Sequence, residues 1–312
     1  MHKLVPAAML ALTELLRAPM SHSASRPCYS FSRLDDHYAS IQHAYREQGY
    51  VVIEDVFDSD DMDAVVTQAM ELSAADMKLS NDDDTASNSN QPGEASKAGY
   101  LVDCDPTGNL APAPRKIDGC FLKSQQFRQV AMSEKLRLVV ATVMDAAATQ
   151  DRMPAERPEA TQPLLFADQA FMKPPRVGSA KPYHQDNFYF KCDPVDEVVT
   201  CWIALDDATE ENGCLRYIEG SHLGGQLMHS PVQGDPHNLV PAGNQIDMSS
   251  EMQAPVRKGG VILHHGHTLH CSGENRSSRW RRSYATHWIS QRVSSTSATT
   301  LASPIFKSAE WR

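Results

Sequence analysis

VVTCWIAL, residues 198–205, is a short run of β-branched, aromatic and aliphatic side chains, a composition that suits the pleated surface of a strand. Segments of the same texture flank it on both sides. LLFADQAFMK (164–173) and HQDNFYF (184–190) precede it, and GCLRYIEGS (213–221), GGVILHHGHTLH (259–270) and RSYATHWIS (282–290) follow. Gly, Pro and Asn stand between them as turn signals. Many short strands punctuated in this way predict a sandwich or jelly roll, an architecture that manages exposed edges by pairing two sheets.

Toward the N-terminus the pattern changes. DDHYASIQHAYREQ (35–48), GYVVIEDVF (49–57) and DSDDMDAVVTQAMEL (58–72) read as helix, strand and helix. Ser59 is the expected N-cap of the second helix, with Asp60 and Asp61 in a first turn where negative charge suits the helix dipole. A further helical stretch is expected around Phe127 to Ala147, so that helices flank a mainly β domain. Ser80–Gly99 is polar and too poor in apolar side chains to offset its ordering entropy, and it reads as a mobile loop, either plainly solvated or acting as a lid. Leu223–Arg257 is weakly periodic and reads as an insertion between strands. Residues 1–30 form an N-terminal extension whose short apolar stretch is interrupted by Glu14, either a targeting segment or a weakly packed helix. Residues 31–312 are then one catalytic domain with insertions near 78–99 and 223–257.

Composition narrows the function. Hydrophobic residues make up 41% and charged residues 22% of 312 positions, enough apolar material for a sizeable core. A formal charge of -10 excludes a nucleic-acid partner, which needs a basic stripe to neutralise phosphates. A small molecule is the expected partner. Seven cysteines include no CxxC pair and do not make a disulfide framework, which points to a reducing, cytoplasmic compartment. No run of about eighteen apolar residues is present to span a membrane. The oligomeric state is not legible.

His184 and Asp186 lie two apart, and on an extended strand such residues project to one face. One imidazole and one carboxylate can thus meet one metal. His270, ending the apolar segment 259–270, is placed to supply a third ligand from a neighbouring strand. Two His and one carboxylate make the facial triad that leaves three open positions on iron. Ser272 and Arg281 follow at two and eleven residues beyond His270, and a guanidinium near such a pocket can bind a carboxylate through two parallel hydrogen bonds. His264, His265 and His267 suggest a second metal site only in isolation. Strand residues alternate faces, so packing or support of the ligands is the expected role. Asn212 and Gly213 read as a turn, and Asn275 as a brace for the loop after His270.

In QGYVVIEDVF (48–57), PYHQDNFY (182–189), CWIALDDATEENGCLRYIEGSH (201–222), GGVILHHGHTLHCSGENRS (259–277) and the Arg281 segment, the sequence resembles the phytanoyl-CoA dioxygenase family, over about residues 41–290. The resemblance implies a double-stranded β-helix (jelly roll, cupin-like). It implies Fe(II) held by His184, Asp186 and His270, with 2-oxoglutarate as co-substrate and O2 as oxidant. Arg281 would hold the distal carboxylate of 2-oxoglutarate, Ser272 would add a hydrogen bond there, and Trp202, Lys116 and Gln169 would line the same site. The activity implied is a hydroxylase, which couples decarboxylation of 2-oxoglutarate to succinate and CO2 with hydroxylation of a small molecule. Lys173, Arg176 and Lys181, just before the HxD motif, raise the option of an anionic substrate. A zinc cupin acting as isomerase or hydrolase and a silent binder of iron or 2-oxoglutarate are the alternatives.

Overall fold

A computed structural model describes residues 26–79, 94–97, 100–105, 107, 109–148, 163–232, 235–243, 246–298 and 300. Most of the N-terminal extension and most of the 80–99 stretch lie outside the described residues. The chain opens with β1 (Cys28–Ser30), α1 (Leu34–Gln48), β2 (Tyr50–Glu54) and α2 (Ser59–Leu79). A small sheet of β3 (Glu94–Lys97), β4 (Tyr100–Cys104) and β5 (Leu110–Pro114) follows, and then β6 (Lys116–Asp118), α3 (Cys120–Lys123), α4 (Gln125–Ala131) and α5 (Glu134–Ala148). The β-rich part comprises β7 (Leu164–Lys173), β8 (Lys181–His184), α6 (Asp186–Phe190), β9 (Cys192–Asp193), β10 (Val198–Ala204), β11 (Leu215–Ile218), β12 (His229–Val232) and β13 (Asp235–Pro241). It closes with β14 (Glu251–Ala254), β15 (Val261–His265), β16 (His270–Ser272), β17 (Arg281–Ile289) and β18 (Ser294–Ser295).

Two sheets carry the architecture. A seven-stranded sheet runs β1-β2-β15-β10-β17-β7-β6, and a four-stranded sheet runs β14-β11-β16-β8. They pack face to face as the jelly roll that the strand pattern predicts. The segment 198–205 supplies β10 at the centre of the larger sheet, paired on both sides along its length. Its side chains alternate as a strand demands. Val199, Cys201 and Ile203 join the core formed with α1, α4 and α5, whereas Trp202 and Ala204 pack toward Leu215, Tyr217 and Ala254 of the smaller sheet.

Local chemistry explains the boundaries. α1 buries Leu34, Ile41, Ala44 and Tyr45 along one stripe and ends at Gly49, whose φ of 83° is the left-handed conformation of a helix stop. A Cβ there would sit 2.5 Å from His222 Nδ1 and Thr268 Oγ1. Ser59 is the first helical residue of α2 rather than its cap. The helical stretch expected near 127–147 is two helices, α4 and α5. The region 223–257 is not wholly an insertion: it contains the β12–β13 hairpin and ends in β14, an edge strand of the smaller sheet.

One expectation needs correcting. HQDNFYF is not a single strand, because β8 stops at His184 and Asp186 opens the short helix α6. Asn187 causes the turn: its Oδ1 accepts from Cys192 N at 2.9 Å and its Nδ2 donates to Cys192 O at 3.1 Å, which folds the chain back on itself. Gln185, with φ −116° and ψ 128°, stays extended, so His184 and Asp186 still project to one side.

Candidate active site and metal centre

β8 and β16 pair antiparallel with His184 directly opposite His270. That register, with the extended Gln185, brings His184, Asp186 and His270 together, each buried, with one ligand atom apiece lying within 4.8 Å of the others. His184 Nε2 is 3.5 Å and His270 Nε2 3.6 Å from Asp186 Oδ1. Each histidine donates Nδ1–H to the carbonyl two residues before it, His184 to Pro182 and His270 to Thr268, both at 2.9 Å. Those bonds fix the tautomer and leave both Nε2 lone pairs converging on one point. Burial lowers the His184 imidazole and pushes His270 down to about 4, so both rings are neutral, as metal ligation requires. Burial would raise the Asp186 carboxyl, yet the group is held well below the usual carboxylate range, with His264 donating a hydrogen bond to it.

The outer oxygen of Asp186 is held from behind. Thr200 Oγ1 donates to Oδ2 at 2.7 Å and His264 Nε2 donates at 3.1 Å. His264 Nδ1 in turn accepts from Tyr217 O–H at 2.9 Å. His264 therefore supports a candidate ligand, while His265 faces the other way and bonds Asp196 at 3.1 Å. Sequence reasoning missed Thr200, a hydroxyl inside an apolar strand whose neighbour across the sheet cannot be read from one chain.

Arg281 and Trp202 lie on the inward face of the larger sheet. Arg281 is only 2% exposed, and it donates to Gly213 O at 3.2 Å and Ser283 Oγ at 3.4 Å, with its guanidinium 5.4 Å from the Trp202 ring. No carboxylate among the described residues forms an ion pair with it, and burial lowers it to about 10. A buried guanidinium without a counter-charge is costly, which is the property of a site shaped for an anion. Arg282, by contrast, pairs with Asp206 through two bonds of 2.7 and 2.8 Å. Lys173 lies directly across the sheet from Arg281 and is also buried; it donates to Ser179 O and Gly273 O, and burial, then Arg281, pushes its ammonium well below the usual lysine range.

A cavity of about 870 Å³ is lined by His184, Asp186, His270, Arg281, Ser272, Trp202, Gln169 and Lys116. Lys116 sits toward the outside, its side chain 49% exposed and paired with Asp118 at 3.2 Å. The three basic residues before the HxD motif part company: Lys181 lines the cavity, Lys173 is buried in its wall, and Arg176 is exposed and outside it. Asn212 closes its turn by accepting from Thr209 N and donating to Asp207 O, both at 2.7 Å. Asn275 braces its loop, donating to Lys173 O and Arg279 O and accepting from Ser277.

Similarity to known proteins agrees with this geometry. The chain superimposes on the non-heme alpha ketoglutarate dependent epimerase SnoN from nogalamycin biosynthesis with a TM-score of 0.59 and 18% identity, over 86% of this chain and 91% of that one. It superimposes on EvdO2 from Micromonospora carbonacea var. aurantiaca with a TM-score of 0.55 and 22% identity, over 80% and 90%. At such identity the likeness is one of fold. In sequence it is 25% identical to a phytanoyl-CoA dioxygenase domain-containing protein 1 homolog of Caenorhabditis briggsae, over 80% of this chain and 90% of that protein. It is 35% identical to the Bos taurus phytanoyl-CoA dioxygenase domain-containing protein 1 over 40% of this chain, spanning 44% of that relative's length. Residues 45–283 match the family model described as Phytanoyl-CoA dioxygenase (PhyH), and the chain belongs to that family of non-haem iron, 2-oxoglutarate-dependent oxygenases.

Proposed function

We propose that the chain is an Fe(II)- and 2-oxoglutarate-dependent oxygenase that hydroxylates a small molecule. The observation that carries the reading is the pairing of two features in one cavity: a buried His184–Asp186–His270 cluster, and a buried, uncompensated Arg281. A zinc isomerase or hydrolase would need the first and has no use for the second.

The residues fit the groups the family implies. His184 and His270 would hold iron through Nε2 and Asp186 through Oδ1, and bound iron with 2-oxoglutarate would supply the oxidising power for O2 chemistry. Arg281 would take the distal carboxylate, which would neutralise its charge in a desolvated setting. Trp202 stacks against the guanidinium and limits its swing. Ser272 and Gln169 line the same cavity and would orient the co-substrate. Thr200 and His264 keep Oδ2 of Asp186 engaged, so Oδ1 alone faces the two imidazoles. With a carboxylate at position 186 rather than a small residue that vacates a site for halide, hydroxylation is favoured over halogenation. The domain is proposed to be single, spanning about residues 31–312.

Anaerobic titration with iron(II) and 2-oxoglutarate tests this. A weak visible charge-transfer band should appear with wild type and be absent in Arg281→Ala, and succinate should form once oxygen is admitted. Folded, iron-loaded protein that gives neither band nor succinate would sink the reading.

A further inference from the structure

Taking the proposed active site as given, the cavity wall contains an acceptor that neither metal nor co-substrate would use. β17 presents Arg281, Ser283, Ala285 and His287 on alternate, inward positions, and His287 lies across from Thr200 of β10 on one side and Ala167 of β7 on the other. Six residues of strand separate Arg281 from His287, about 20 Å of rise. Arg281 and His287 therefore stand toward opposite ends of this inward face, with Asp186 at the His287 end. There the imidazole Nδ1 is 4.0 Å from Asp186 Oδ2, close to where oxidation would occur.

The direction of the hydrogen bonds fixes the state of this ring. Asp186 can only accept, so Thr200 spends its single proton on Oδ2 at 2.7 Å. Thr200 Oγ1 must then accept from His287 Nδ1, 3.0 Å away. Nδ1 carries the proton, and in the neutral ring Nε2 is a bare lone pair. Nε2 is covered and has no hydrogen-bond partner among the described residues; His287 lines the cavity, so a donor entering from it must displace the covering side chains to reach Nε2. Its surroundings are apolar: the Phe190 ring stands edge-on at 4.7 Å and the Phe166 ring at 6.1 Å.

We propose that His287 Nε2 is the acceptor that selects the primary substrate, a molecule with an apolar body and a neutral O–H or N–H donor beside the carbon to be oxidised. An anionic group would be repelled at this point by the lone pair and by Asp186. Any negative charge on the substrate belongs at the outer end, by Lys116 and Lys181. A buried acceptor left unpaired discriminates strongly, by about 10⁴-fold where a site is built around one hydrogen bond.

The test uses the full chain with ¹⁵N-labelled histidine, loaded with Zn(II) as a diamagnetic stand-in and 2-oxoglutarate. The His287 signals are identified by their loss in His287→Phe. The probes are cyclohexanol, phenol and octanol, each paired with its methyl ether. The expected result is an Nδ1–H tautomer, a saturable shift of Nε2 with at least one alcohol and not with its ether, and loss of the alcohol-over-ether preference, by at least about 100-fold in apparent affinity, in His287→Phe. An Nε2–H tautomer, or no alcohol that moves Nε2 more than its ether does, would overturn the proposal. Failure of the oxygenase reading shows separately, as absence of the charge-transfer band and of succinate, so the two cannot be confused.

Discussion

The two sheets of the roll are built differently. The seven-stranded sheet is the more extensively paired: β10 pairs with β17 over its full length and with β15 from Val199 to Ile203, one register shift falls between His287 and Trp288 where β17 meets β7, and helices seal its outer face with a continuous apolar core. Its inward face bears Arg281, Trp202, Thr200 and His287, which line the cavity and are the groups proposed to meet an anion and the substrate. The four-stranded sheet is short and irregular, with a register shift between His270 and Ser272 where β16 meets β8. It nevertheless supplies both candidate imidazole ligands. An extensively paired wall thus faces a wall whose geometry depends on individual side-chain hydrogen bonds, and precision at the site comes from polar braces as much as from strand pairing.

Replacing Arg281 tests the paired wall most severely. Arg281→Met keeps the volume and removes a buried charge that has no carboxylate partner among the described residues, so 2-oxoglutarate affinity should fall by more than about 100-fold while the ligand-free protein gains about 1–4 kcal/mol. Calorimetric titration and thermal unfolding read the two effects. Loss of stability would make Arg281 a structural bolt and break the contrast between a charge-bearing paired wall and a braced one.

The braced wall should respond in the opposite way. Asn275→Ala removes four hydrogen bonds, taking the side-chain donor from Lys173 O and leaving Arg279 O with Ser277 Oγ alone. At about 1 kcal/mol each, less what water recovers, the cost is about 2–4 kcal/mol, measurable by denaturant unfolding. A cost below about 1 kcal/mol would show that the loop after β16 holds itself.

Asp168 sharpens the contrast from the outer face of the larger sheet. Its Oδ2 accepts from Phe121 N at 2.6 Å and Tyr284 O–H at 2.9 Å, Oδ1 has no partner among the described residues, and burial raises the carboxyl to about 6. A folded value above the unfolded one means that the native state binds the proton more tightly. The contribution is therefore fully present below about pH 4 and is lost as pH rises through about 6. Relative to Asp168→Asn, wild type should gain up to about 3 kcal/mol between pH 7.5 and 4, from a difference of about two pH units at 1.36 kcal/mol each. A flat difference across that window would remove the burial argument.

These contrasts also mark what one sequence can show. The strands of the larger sheet were legible because alternation and β-branched composition are local, and His184, Asp186 and His270 were legible because ligation needs particular residue types. The end of β8 was not, because Asn187 closes α6 through Cys192, a bond that no strand periodicity anticipates. Lys173 looked like a steering charge and is a buried brace, since burial depends on which strand lies opposite. Thr200 and His287 were hidden for the same reason: each is an ordinary residue until the β10–β17 register sets it beside Asp186.

Thr200→Val probes that register and joins both walls. The substitution keeps the shape, leaves His264 as the one remaining donor to Asp186 Oδ2 among the described residues, and strands the Nδ1–H of His287. Supports of this kind are worth about 10–100-fold in metal affinity, so iron(II) or zinc(II) should bind about that much more weakly in a competition assay. The His287 ring, freed from Thr200, should also lose its single tautomer, which the same histidine resonances would report. Weaker metal binding with an unchanged tautomer would mean that Thr200 serves Asp186 alone. A changed tautomer with full metal affinity would mean that His264 suffices to hold the carboxylate, and that the threonine is there for His287.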